Sequence, residues 1–153
     1  MGVSVGVNQM SVVHQKSGGV TIAFPDVCKT PAPPAPPIPI PYPNIAKSGD
    51  SAKTAKKVYC DKKKVCHKKS NFKTSTGDEP GTLKGIISNK NKGKAEFINF
   101  SFDVFFEGKN AVRPLDLMLH NDKNTPPFPL IQPPIINIPT DLTSECLFCG
   151  KEL

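Results

Sequence analysis

Residues 31–43 read PAPPAPPIPIPYP and hold eight of the chain's 17 prolines. The reading of this run decides the fold. As a linker it is disordered. As an ordered segment it is extended, because proline fixes φ and carries no N–H donor. Ile38, Ile40 and Tyr42 alternate with prolines, which puts three apolar side chains on one side of an extended strand. Apolar side chains inside a proline run favour packing on a core, as a sheet edge or a polyproline-like segment. The same prolines exclude a helical bundle. Eleven scattered glycines exclude collagen, and no run approaches the roughly 20 apolar residues that span a bilayer. A length of 153 residues fits one domain.

Upstream, apolar runs at 11–13 and 20–24 flank Ser17-Gly18-Gly19, which reads as strand, turn, strand. Downstream, residues 74–82, TSTGDEPGT, are turn chemistry. Residues 97–106, FINFSFDVFF, carry the strongest strand signal: Ile98, Phe100, Phe102, Val104 and Phe106 alternate with Asn99, Ser101 and Asp103. Glu107-Gly108-Lys109-Asn110 follows as a hairpin turn, and 111–113 begins a return strand. Residues 126–139, PPFPLIQPPIINIP, form a second proline-rich stretch. The expected class is mostly β. Asp26, Asp78 and Asp116 each close a strand-like segment and open a polar turn, a repeat that suits three β-hairpins converging at one end.

The net charge is +7, and Arg113 is the only arginine. Ten lysines fall in residues 47–73, opposed by Asp50 and Asp61 alone. Such a stretch attracts phosphates or anionic lipids, but readers of nucleic acid favour arginine and stacking aromatics. Only Tyr59 and Phe72 interleave, so a solvated, flexible loop is expected and no specific nucleic-acid contact. The opening MGVSVGVNQM lacks a charged n-region and a long apolar core, so no secretory leader is expected. Gly2 is not read as a myristoylation site, because position 6 is glycine. The chain is expected to be cytoplasmic when made. Five cysteines cannot complete a disulfide framework. In a reducing compartment they read as metal ligands or inert thiols. The end of the chain holds Cys146-x-x-Cys149, the spacing of half a zinc knuckle, and KEL is not an ER-retention signal.

The stretches SGGVTIAFPDVCKTP, PIPIPYPNIAKS, STGDEPGT and KGKAEFINFSFDVFFEGKNAVRPLDLMLHNDKNTPP resemble the PAAR-like domain family. These are relatives of the proline-alanine-alanine-arginine repeat proteins that tip the spike of type VI secretion and related contractile injection machines. The resemblance runs from about residue 14 to 127, with 128–153 a proline-rich C-terminal extension of a single domain. It implies a small cone of β-hairpins with pseudo-three-fold character. The blunt base of such a cone caps a trimeric spike protein, one tip per trimer. The point makes transient contact with a target membrane during puncture. Effector or toxin cargo is a further implied partner, and the tip is exported with the apparatus. With nothing after Leu153, a stand-alone structural tip is expected rather than an enzyme, and a toxin ranks last.

The resemblance also implies zinc near the point, held by three histidines and one cysteine. The candidate ligands are His14, Cys28, His120, Cys146 and Cys149, with His67, Cys60 and Cys66 as alternatives. The set His14, His67, His120 and Cys28 reproduces the family composition. The GDEPGT turn departs from the family pattern, for it carries no ligand. A point has too little interior for an apolar core, so a structural metal suits it. No GxSxG, P-loop or HExxH motif is present, and Asp26, Asp78, Glu79 and Asp116 read as turn carboxylates. Two other classes compete: a zinc-dependent or nucleic-acid-binding regulatory module built on the lysines and the CxxC, and a proline-rich adaptor ligand displaying PxxP.

Overall fold

The computed structural model describes residues 3–133. Cys146, Cys149 and most of the expected C-terminal extension lie outside the described residues. The chain forms β1 (Gly6–Val7), β2 (Met10–Ser11), β3 (Val20–Ala32), β4 (Ala35–Lys47), β5 (Ser51–Ala52), β6 (Tyr59–Cys60) and β7 (Lys63–Lys64). It continues through β8 (Asn71–Phe72), β9 (Ser75–Thr76), β10 (Ala95–Phe97), β11 (Phe105–Phe106), β12 (Lys109–Asn110), β13 (Leu117–Leu119) and β14 (Phe128–Pro129). All pairings between these strands are antiparallel. The described residues hold one short 3-10 turn, Ser48–Asp50, and no α-helix, so no helix is long and apolar enough to cross a membrane.

The proline run is a strand. β3 and β4 form a ribbon that pairs from Val20 with Lys47 to Ala32 with Ala35. Pro37, Pro39, Pro41 and Pro43 occupy every second position of β4. Alternate residues turn their N–H to the same edge, so all four missing donors fall on one side. The strand on that side, β9, reaches β4 only at Ile45 and Ala46, beyond the last proline. The ladder to β3 keeps the donors of Ile38, Ile40 and Tyr42. These three side chains are not packed into the core as expected. Ile38 is exposed and the other two half-buried, and full burial begins at Asn44 and Ala46.

Three expectations for strands change. Met10–Ser11 pairs back onto Gly6–Val7 across Asn8-Gln9, so 11–13 and 20–24 are not one hairpin. The segment 97–106 is strand only at its ends. Ser101 Oγ takes the backbone N–H of Val104 at 3.2 Å, and Asn110 Nδ2 bonds Ser101 O at 2.6 Å. A serine bonding its neighbours' backbone bends the chain, which leaves Phe102 exposed. The expected hairpin does form, as β11 and β12 around Glu107-Gly108. The lysine stretch is built into the fold: β5 pairs β8 and β6 pairs β7.

The main core lies under the five-stranded sheet β14-β13-β10-β8-β5 and centres on Val13, Phe72, Phe97, Met118 and Leu130. Phe72 and Phe97 meet edge to face at 5.7 Å. Full burial of one such side chain stabilises by roughly 1.5–3 kcal/mol. A second cluster gathers Val3, Val7, Val12, Cys60 and Val65.

A repeat is present, but not the one expected from the aspartates. The hairpin β1–β2 returns 53 residues later as β6–β7, with Asp61-Lys62 in place of Asn8-Gln9. All four turn residues have positive φ, between 51° and 66°, the backbone of a type I′ turn. The bond from Val12 N to Val5 O returns as Val65 N to Val58 O. His14, His67 and His120 stand at the same 53-residue spacing. Asp116 is apart from the other two aspartates, where it accepts the Arg113 backbone N–H and guanidinium.

Candidate functional site

Each histidine begins a loop that a hydroxyl closes. The backbone N–H of His14 bonds Ser17 Oγ at 3.1 Å, that of His67 bonds Ser70 Oγ at 2.9 Å, and that of His120 bonds Thr125 Oγ1 at 3.0 Å. The first two loops share a second bond: Lys16 N donates to His14 Nδ1 at 3.1 Å and Lys69 N to His67 Nδ1 at 3.2 Å. A neutral imidazole that accepts at Nδ1 carries its hydrogen on Nε2. The third loop differs. Asp122 N, in the corresponding place, bonds Lys94 O, and His120 Nδ1 is buried without a partner. His120 Nε2 lies 3.1 Å from Thr21 Oγ1, and burial pushes its pKa down to about 4.

His14 ends in a cluster around Asp61. Its Nε2 is 3.3 Å from Asp61 Oδ2, Cys60 Sγ is 3.2 Å from the same oxygen, and Ser4 Oγ donates to Oδ1 at 2.5 Å. With these donors on it, chiefly Ser4, the Asp61 carboxyl is held well below the usual carboxylate range. Burial raises the Cys60 thiol. His67 is elsewhere, on a cavity of about 430 Å³ ringed by Lys53, Lys56, Lys69, Lys109 and Glu107. Burial and the Lys109 ammonium push its pKa down.

The second cluster surrounds Asp26, in β3. Asn44 Nδ2 donates to Asp26 Oδ2 at 2.5 Å, and Asn121 and Asn124 donate to Oδ1. Cys28 Sγ lies 3.7 Å from Asp26 Oδ1 and 3.9 Å from Asp78 Oδ2. Asp78 also accepts Lys92 N at 3.1 Å. Asp26, Cys28, Asn44, Asp78, Asn121 and Asn124 are all buried. Burial, then the field of Asp26, pushes the Cys28 thiol up to about 12. Burial and the contact with Asp26 push Asp78 up to about 6. Gly81 lets the 78–93 loop close, since a Cβ there collides with the Cβ of Cys28.

Two groups of side chains can therefore hold a metal ion: His14, Cys60 and Asp61, and Asp26, Cys28 and Asp78. The expected ligands divide between them, with His14 in the first, Cys28 in the second, and His67 in neither. His120 is also in neither, and Cys146 and Cys149 are outside the described residues. Neither group brings three histidines and one cysteine together. Cys66 is a buried free thiol against Ser51 Oγ at 3.4 Å, with burial pushing its pKa up to about 11.

Sequence reading placed Asp26, Cys28 and Asp78 in turns but missed Asn44, Asn121 and Asn124. A signal was present. The blocks PDVCKTP, PIPYPNIA, STGDEPGT and LHNDKNTPP each send one or two side chains to the same buried point. Ser4 and Asp61, which have no such block, were also missed.

The toxin PAAR-like domain matches this chain over residues 19–127. The DNase toxin Tse7 of Pseudomonas aeruginosa is 46% identical over 138 residues, which cover 83% of this chain and 36% of that protein. The chain thus spans about a third of that relative. No solved structure matches. The expectation of a purely structural, non-enzymatic protein, with a toxin ranked last, is overturned: a relative at this identity is named as a DNA-degrading toxin.

Proposed function

The chain belongs to the toxin PAAR-like domain family, and from that membership we propose that it is the delivery segment of a DNA-degrading toxin carried by a contractile injection machine. In this reading the domain seats on the end of a trimeric spike, leads it through a target membrane, and takes nuclease activity along as cargo. It is made in the cytoplasm and exported at the tip of the apparatus.

The observation that carries the proposal is the 53-residue spacing of His14, His67 and His120, each opening a loop closed by a hydroxyl. Three histidine loops at one spacing, two of them alike in their hairpins as well, suit a monomer that meets a three-fold partner. The relative's name supports the toxin half of the reading.

The test is the mass of the complex between this chain and its spike protein. One chain per spike trimer is expected. A three-to-three complex, or no complex at all, overturns the reading.

A further inference from the structure

Asp26, Cys28 and Asp78 bring two carboxylate oxygens and a sulfur within 4.8 Å of one another in a buried place. Around a tetrahedral ion with metal–sulfur about 2.3 Å and metal–oxygen about 2.0 Å, oxygen and sulfur ligands stand roughly 3.5 Å apart. The sulfur here is 3.7 Å from one carboxylate and 3.9 Å from the other. A shift of a few tenths of an ångström gives that geometry. Among the described residues no lysine or arginine pairs with either carboxylate. Two buried carboxylates without a cation are costly.

A second observation points the same way. Asn44 is fully buried, its amide lies against Asp26 Oδ2, and its Oδ1 has no partner. The two ends of an amide are distinguished only by what they bond. With a cation on Asp26, a half-turn of the Asn44 amide gives Oδ1 an ion to bind.

We infer that Asp26, Cys28 and Asp78, completed by the Asn44 amide oxygen, form a site for one divalent transition-metal ion. Binding displaces the thiol proton and any proton shared by the carboxylates. A thiolate among the ligands selects zinc, iron(II) or cobalt over magnesium and calcium. Asn121 and Asn124 keep donating to Asp26 and hold its oxygens in place, as partners of metal ligands do. The ion would tie β3, the 78–93 loop and the end of β4 together. This inference stands on the cluster's geometry and does not depend on the spike reading.

Cobalt(II) titration of chelator-treated full-length protein tests it. A single equivalent should bind with a thiolate-to-cobalt absorption band and raise the melting temperature. Cys28→Ser should abolish the band. Asp78→Asn, which preserves shape, should weaken binding roughly tenfold or more. The double variant His14→Gln, Cys60→Ser and the double variant Cys146→Ser, Cys149→Ser should both keep the band. No uptake by the unaltered chain overturns the site. So does a band that survives Cys28→Ser, an affinity left unchanged by Asp78→Asn in folded protein, or a band that is lost in either control.

Discussion

The side-chain amide of Asn121 reaches 3.2 Å to the carboxylate of Asp26, a residue 95 positions earlier. With Asn44 and Asn124 it makes three amides on one buried carboxylate. Asn124 faces both ways, since its Oδ1 also accepts the backbone N–H of Ile87 and Ser88. Replacing it by alanine strands these two donors and takes one of three amides from Asp26. A loss of about 1–3 kcal/mol is expected from denaturant unfolding. Asn124→Asp should cost more than Asn124→Ala, because it sets a third carboxylate beside Asp26 and Asp78. Equal losses would show that charge is not what the amides counter.

The hydroxyl-closed loops make a second prediction. Ser17→Ala and Ser70→Ala each leave the backbone N–H of a buried histidine without its acceptor. Each should lower stability by about 1–3 kcal/mol. Amide hydrogen exchange should quicken at His14 in the first variant and at His67 in the second. An unchanged rate at the matching histidine would refute the loop-closing role.

Gly77 has φ +128, and a Cβ there would overlap the carbonyl oxygen of Pro43. Backbone against backbone cannot relax by rotating a side chain. Gly77→Ala should therefore cost several kcal/mol, above the roughly 1 kcal/mol typical of a point change, while Gly49→Ala, which meets nothing, should be nearly silent. Comparable melting temperatures for the two would contradict the packing.

Acid should loosen the β11–β12 turn. Glu107 accepts the backbone N–H of Lys56 at 2.7 Å and of Lys57 at 3.0 Å, chiefly the former holding its carboxyl below its usual 4.5. Lys109 and His67 face the same carboxylate and act in the same direction. The folded value is the lower one, so the contribution is complete above the unfolded value and is lost as pH falls below it. Glu107→Gln should thus be less stable than the unaltered chain near pH 7, with the gap shrinking below about pH 4.5. A gap of the same size near pH 3 would rule out the carboxylate as its source.

The β class, the Glu107-Gly108 hairpin and the order of the proline run were legible, because alternation and turn chemistry act locally. The proline run betrayed its strand through Ile38, Ile40 and Tyr42, although not how exposed Ile38 is, since exposure depends on what lies opposite. The segment 97–106 misled for a related reason: Ser101 was counted in the polar half of an alternating strand, whereas its hydroxyl bends the chain. For the site, Asp26, Cys28 and Asp78 were visible as polar residues in turns. That Asn44, Asn121 and Asn124 join them depends on contacts spanning up to 98 residues, which no local pattern encodes. His14 and His120 were read as candidate ligands, with His67 as an alternative, because composition does not record that each histidine opens its own loop.

The 53-residue spacing has a consequence for rotational placement. An object with three like sides can settle on a three-fold partner at any of three rotations, each a third of a turn from the next. Among the described residues the β3–β4 ribbon occurs once, so it marks one side and breaks that equivalence. In the proposed seating on a trimeric spike, whatever travels fixed to this chain leaves on one chosen side in each assembled particle, and on all three sides equally across a population of them.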